Sequence, residues 1–256
     1  MRNVIPIAVR SSDGDCGSSN ASTSAVLNVV QHTSAEFLGL IEDHLEGRGV
    51  RFRYCRPFAG KTPLPREDAL GEGLILLGGG PWGSAGGRDV PTLAQEIALA
   101  RAALSQERPI VGIGLGAQIL AWAAGGRSES SGLEFAVTTA RRVSEDALNG
   151  YLPIEYPLAI YMRDWPVPPE NAAVLARDAK GRAALWQVGR AGFGFAGHPG
   201  LKVAMVEDLI MEFEEAPQDV GPELAKLRAV QRSIEDALVP IMTGLVQLTG
   251  WIRIPA

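Results

Sequence analysis

The chain is poor in the residues that hold metals and build disulfides. Its 256 residues include two cysteines, Cys16 and Cys55, with no CxxC pair, and three scattered histidines, His32, His44 and His198. Two distant thiols make no disulfide framework and fit a reducing compartment. Isolated histidines without partners at zinc spacing make no metal site. A basic excess is also missing: 24 Lys and Arg face 29 Asp and Glu, for a net charge of −5. Nothing in that balance would neutralise a phosphate backbone, so nucleic acid is not an expected partner. No run approaches the ~18 apolar residues of a membrane span. The apolar segment at residues 4–9 is interrupted by Pro6 and too short for a signal-peptide core, so the expected compartment is the cytoplasm, with no membrane partner.

What is present is an ordinary globular composition, 46% apolar and 21% charged, long enough for a sizeable core. The chain is expected to divide into an N-terminal extension (1–24) rich in Ser, Gly, Asp and Asn, a main domain (25–216) and a C-terminal helical extension (217–256). Cys16 falls in the polar extension as an exposed thiol. In the first half, strands expected at 25–30, 50–54, 74–77 and 110–113 alternate with helices at 34–47, where Ser34 is the expected N-cap, and 92–106. Alternation of this kind predicts a parallel sheet covered on both faces, with ligands at the carboxyl ends of the strands. Two glycine clusters, Gly78–Gly80 and Gly112–Gly116, stand at such ends and should converge. The second half is richer in short strands, near 133–139, 158–161, 173–177 and 183–188, followed by a helix over 201–214. From Gly221 a pair of helices is expected, broken by Pro240 and Gly244. Its apolar run (Leu238, Ile241, Met242, Leu245, Val246, Trp251) must be buried on its own domain or against a partner.

The segment from Pro109 to Leu120 is the centre of the chain. It reads as a buried strand, a tight glycine turn and a helix ending at Gly125-Gly126. That is the geometry of a nucleophile elbow, which lifts one residue over the end of a sheet and places an oxyanion site at the next backbone N–H. The residue at the tip is Gly114, which carries no nucleophile.

Three motifs in order resemble those of the class I glutamine amidotransferases, nearest to free-standing members related to the glutaminase domain of GMP synthase. Gly79-Gly80-Pro81 resembles the family's GGP loop. The run from Gly112 to Gln118 resembles its G-I-C-L-G-x-Q elbow, and Gly197-His198-Pro199-Gly200 resembles its F-H-P-E segment. More weakly, Gln31-His32 through Gly49 is similar to the first strand-to-helix turn, and Tyr161-Met162-Arg163-Asp164 stands where a W-H-G-D-like segment helps clamp substrate. The resemblance spans roughly residues 25–215. It implies an α/β, flavodoxin-like fold with a mostly parallel central sheet, flanking helices and a small antiparallel sheet.

The resemblance also implies a reaction, removal of ammonia from glutamine by a thiolate, a histidine and an orienting carboxylate. Carried over by position, the nucleophile slot is Gly114, the histidine is His198 and the carboxylate slot is Gly200. Oxyanion or substrate contacts fall to the backbone of Gly79 or Gly80 and of Leu115, and to Gln118. Two of three catalytic side chains are therefore missing, and no cofactor or metal is implied. Cys55 follows a different strand and is expected to lie too far from His198 to substitute. His198 is either a retained ligand group or a hydrogen-bonded histidine ahead of a helix, and Arg163 and Asp164 are either a surface pair or an anion site. Trp82 stands where it would fill the substrate's space. Three functions remain open at this point. One is a catalytically degenerate, non-catalytic subunit bound to a synthetase or other enzyme, or to a second copy through the apolar tail. Another is an enzyme using His198 in altered, non-covalent chemistry. The third is a glutaminase disabled by engineering at position 114.

Overall fold

The computed structural model describes residues 26–60 and 63–251. The N-terminal extension, with its 4–9 segment and Cys16, lies outside the described residues. Eleven strands are described: β1 (Leu27–Val30), β2 (Phe52–Cys55), β3 (Gly73–Leu76), β4 (Ile110–Ile113), β5 (Arg127–Glu129), β6 (Glu134–Arg142), β7 (Glu155–Met162), β8 (Trp165–Val167), β9 (Ala173–Asp178), β10 (Ala183–Val188) and β11 (Gly192–Phe195). The helices are α1 (Leu40–Glu46), α2 (Leu93–Ser105), α3 (Leu115–Ala123), α4 (Val203–Glu212) and α5 (Val220–Thr249). Nine strands form one sheet in the order β2-β1-β3-β4-β11-β10-β9-β6-β7, and β5 and β8 form a separate antiparallel pair. The five strands from β2 to β11 are parallel, and the remainder of the large sheet is antiparallel. The expected α/β architecture with a mostly parallel centre and a small antiparallel sheet is therefore present.

Alternation along the buried strands feeds two cores. Leu27, Val29, Ile75, Val111 and Ile113 join α1 and α5 on one face, while Val30, Leu74, Leu76 and Ile110 join α2 and α3 on the other. The register pairs Val30 with Leu76, Leu76 with Gly112 and Phe195 with Ile113. The chain therefore leaves β1, β3, β4 and β11 at one rim of the sheet, with Gln31, Leu77, Gly114 and Ala196 as the next residues there or nearly so.

Two sequence expectations need correction. The helix expected at 34–47 begins only at Leu40, and its N-cap is Gly39 at φ 61°, with Ser34 six residues away in an irregular loop. The loop is fixed by tertiary bonds that a helix would forbid: Glu212 accepts from the Ser34 and Ala35 N–H groups, and the Leu38 N–H donates to the Tyr54 hydroxyl. The expected helix pair in the tail is one 30-residue helix, α5, with Pro240 inside it. Proline removes the donor for the Asp236 carbonyl. That carbonyl belongs to an exposed stretch with Asp236 and Val239, where water can serve it, while Leu238, Ile241, Met242 and Val246 hold the opposite face in the core. Each such side chain contributes about 1.5–3 kcal/mol by burial. Gly244 lets the helix approach the 143–154 turn, since a side-chain carbon there would fall 2.4 Å from the Leu148 carbonyl oxygen. The apolar tail is thus covered by its own domain, which removes it as the interface for a second copy. Among the described residues, no helix is long and apolar enough to cross a membrane.

Candidate functional site

The elbow forms as the sequence predicts. β4 ends at Ile113, and Gly114 turns the chain at φ 56°, ψ −114°, a conformation natural to glycine. α3 starts at once with Leu115. The glycine loop after β3 lies directly against this turn: a side-chain carbon on Gly79 would fall 2.4 Å from Leu115 Cδ2. A side-chain carbon on Gly114 would have one heavy atom within 4 Å beyond its chain neighbours, Gly78 Cα at 3.5 Å. A first side-chain carbon therefore fits at position 114 in ordinary van der Waals contact. Among the described residues, neither the Gly79 nor the Leu115 N–H donates to a protein acceptor.

His198 lies at the same rim but does not face that space as a base. Its Nδ1 accepts from the Gly200 N–H at 3.1 Å, so the ring proton is on Nε2, which donates to the Phe37 carbonyl at 2.8 Å. Burial lowers its pKa to about 4, against the opposing hydrogen bond to Phe37. At neutral pH it is an uncharged ring with both nitrogens engaged. The carboxylate slot is filled by structure: a side-chain carbon on Gly200 would fall 3.0 Å from Ile41 Cγ1 and 3.1 Å from Ile41 N, and the Gly200 carbonyl accepts from the Leu40 N–H. The N-terminus of α1 thus crowds the first carbon of any side chain at position 200.

Two acids that sequence reasoning passed over, together with His32, organise the glycine loop. Glu36 is 3% exposed; its Oε2 accepts from the Gly80 N–H at 2.8 Å, and its Oε1 overhangs Gly78. Burial raises its pKa to about 7, opposed by the Gly80 N–H and by His32, and Glu212 pushes the same way as burial. His32 donates from Nε2 to Glu96 Oε2 at 2.7 Å and from Nδ1 to the Gly78 carbonyl at 3.0 Å. Both partners are acceptors, so the ring is an imidazolium. Burial pulls its pKa down, but the charge and hydrogen bond of Glu96 outweigh this and the pKa is raised. With the Gly78 carbonyl turned to His32, the planar trans peptide directs the Gly79 N–H the opposite way. His32 is marked only by the weak match of Gln31-His32 to a strand-to-helix turn. No sequence signal marks the acids: Glu36 lies on the stretch that periodicity assigns to a helix, and Glu96 lies on the expected helix α2.

The remaining predicted residues do structural work. Gln118 is fully buried, accepts from the Ser84 hydroxyl at 2.7 Å and donates to the Arg163 carbonyl at 2.6 Å. It ties the elbow helix to two loops. Arg163 and Asp164 are no surface pair: Asp164 is 1% exposed and accepts from the Ser84, Ala85 and Ser131 N–H groups. Arg163 donates to the Pro81 carbonyl and pairs with Glu215, which also binds Arg88. The Arg88 guanidinium stands 4.9 Å from the Trp82 ring centre and 5.9 Å from that of Phe213. Phe213 and Leu209 in turn pack on Gly80. Cys55 ends the edge strand β2, three strands from β4, roughly 14 Å at ~4.8 Å per strand. Among the described residues, no group of three His, Cys, Asp or Glu side chains could hold a metal ion.

The elbow thus faces the glycine loop across the carboxyl rim of the parallel half of the sheet. The model of the class-I glutamine amidotransferase family matches residues 37–172, and the chain belongs to that family. The matched range includes the glycine loop and the elbow and ends before His198. Among solved structures, a glutamine amidotransferase from Methylobacillus flagellatus is 20% identical with a TM-score of 0.74, over 91% of this chain and 97% of that one. One from Thermotoga maritima is 22% identical with a TM-score of 0.71, over 88% and 98%. A chain of PurLQS from Thermotoga maritima is 18% identical with a TM-score of 0.51, over 74% and 98%. These likenesses are of fold. Comparison by sequence with curated proteins gave no match.

Proposed function

We propose that this chain is a glutaminase-silent member of its family that works by binding, as a non-catalytic structural or regulatory subunit of an enzyme in the cytoplasm. One observation carries the reading: the elbow tip is Gly114 while both nitrogens of His198 are already committed, to Phe37 and Gly200. Covalent catalysis needs a nucleophile and a base within hydrogen-bond reach of it, and neither exists here. Oxyanion donors alone leave only residual rate. The engaged ring of His198 also argues against non-covalent chemistry run by that residue. The filled carboxylate slot argues against a single engineered change at position 114, because restoring a thiol would not rebuild the rest.

The test has two parts. Purified protein incubated with glutamine should release no ammonia above the uncatalysed background. Tagged protein recovered from its own cells should bring down an enzyme subunit in stoichiometric amount. Ammonia release by the unaltered chain, or recovery of the chain alone, refutes the reading.

A further inference from the structure

The linker between α4 and α5 passes over the glycine loop and is held there by side chains. Phe213, the first residue past α4, lays its ring on Gly80: a side-chain carbon on that glycine would fall 3.1 Å from Phe213 Cε2 and 3.1 Å from Leu209 Cδ2. Two residues on, Glu215 accepts from Arg88 Nη1 at 2.7 Å and pairs with Arg163, whose Nε donates to the Pro81 carbonyl at 2.9 Å. The Arg88 guanidinium lies over the Trp82 ring and, farther off, over that of Phe213. One carboxylate thus ties the linker to the loop after Gly80 and to the end of β7. Among the described residues, the backbone of 214–216 makes no hydrogen bond. The two helices need not move with the linker. They pack together through Val206, Leu209, Leu227 and Ile234, and Arg228 pairs with Glu207 between them. A short stretch without backbone hydrogen bonds, strung between packed helices, belongs to the part of a fold that opens locally.

We infer that the α4–α5 linker is an autoinhibitory strap, latched by Glu215 to Arg88 and Arg163, that keeps Gly80 covered until the latch is released. The strap goes beyond the proposed function and does not depend on it. The latch is built to release. The side chains of Glu215 and Arg88 are 38% and 34% exposed, so water and salt reach them, while Arg163 is 16% exposed. Ion pairs this open shift an equilibrium only severalfold and weaken with salt. Desolvation pushes the Glu215 carboxyl up slightly, but the hydrogen bonds from Arg88 and Arg163 outweigh it and its pKa is lowered, so the latch is charged at neutral pH. When Glu215 leaves, Arg88 keeps the Trp82 ring and Arg163 keeps the Pro81 carbonyl. The strap is therefore the part that moves, and Phe213 moves with it off Gly80.

The test is hydrogen exchange of the full chain, read residue by residue in the parent, Glu215→Gln and Glu207→Gln, at about 0.05 and 1 M NaCl. The reporters are the Gly80 N–H, which donates to Glu36 under the Phe213 contact, and the Trp82 N–H, which donates to the Gly79 carbonyl. Glu215→Gln should speed exchange at both roughly two- to tenfold and leave the amides inside α4 and α5 at parental rates. High salt should do the same to the parent and add nothing to Glu215→Gln. Glu207→Gln, which removes an exposed ion pair between the same two helices, should leave Gly80 unchanged. Arg88→Gln should repeat the effect at Gly80, which keeps the inference testable if the Glu215 variant does not fold. Parental exchange at Gly80 in the latch variants overturns the strap. So does equal acceleration by Glu207→Gln, or acceleration spread through α4 and α5.

Discussion

Returning a thiol to the elbow separates missing chemistry from missing structure. In Gly114→Cys the new side chain has room, since one atom, Gly78 Cα, lies within 4 Å of its first carbon beyond the chain neighbours. The backbone is the obstacle. At φ 56°, ψ −114° a non-glycine residue costs roughly 1–3 kcal/mol. For a chain of this size each kcal/mol lowers Tm by about 2–4 °C, so the variant should melt several degrees below the parent, and Gly114→Ala should match it. Neither melting change requires activity. His198 is uncharged and already donates to Phe37 and accepts from Gly200, so the thiol would have no base and glutamine turnover should stay at background. Adding Gly200→Glu should not help, because its first carbon crowds Ile41 and overpacking of this kind costs about 1–3 kcal/mol. The assays are thermal melting and ammonia release on the same preparations. Turnover by Gly114→Cys alone, or a melting point equal to or above the parent's, would refute the account of the elbow.

Other substitutions probe the supports of the site. Glu36 has a folded-state pKa raised from 4.5 to about 7, so its contribution to stability is full below pH 4.5 and lost as pH rises through 7, about 3 kcal/mol at ~1.36 kcal/mol per pH unit. His198 has its pKa lowered from 6.5 to about 4, so its contribution is full above pH 6.5 and lost as pH falls through 4. The two slopes oppose one another, and denaturant titrations of Glu36→Gln should show stability rising by about 3 kcal/mol from pH 4 to 6.5; a flat profile contradicts this. Glu96→Ala leaves the His32 imidazolium buried and unpaired, and should cost about 3–5 kcal/mol by denaturant midpoint. Leu245→Ala removes a core contact of α5 and should cost about 2–5 kcal/mol without changing the elution volume in size-exclusion chromatography, because the residue faces its own domain. Gly116→Ala should be more damaging than Gly114→Ala, since its carbon would fall 2.0 Å from the Leu76 carbonyl oxygen.

Most of the sheet was legible because its strands carry their instructions locally. Val30, Leu76 and Ile110 fall on one face and Leu27, Ile75 and Val111 on the other by simple alternation. The loop from Gln31 to Gly39 was misread for the opposite reason. Its apolar residues Phe37 and Leu38 continue the helical spacing of Ile41 and Leu45, yet its backbone is spent on Glu212, Tyr54 and His198, none of them local in sequence. Glu36, inside that misassigned stretch, is the buried carboxyl resting on the glycine loop. Pro240 misled in the other direction. A breaker on an exposed helix face costs little when the buried face is anchored, and burial is a tertiary property that residue type alone does not disclose.

The elbow motif also has a structural reason that needs no thiol. Two glycines of the elbow run answer to packing: the Gly116 backbone sits against β3, with its N–H donating to the Leu77 carbonyl, and a side-chain carbon on Gly112 would fall 2.3 Å from the Gly116 carbonyl oxygen. These contacts hold α3 on the sheet whether or not a thiol stands between them. Packing therefore requires glycine at 112 and 116, while at 114 the requirement comes from the backbone angles, which glycine adopts without strain. Family membership and an elbow tip without a side chain are thus compatible in one chain.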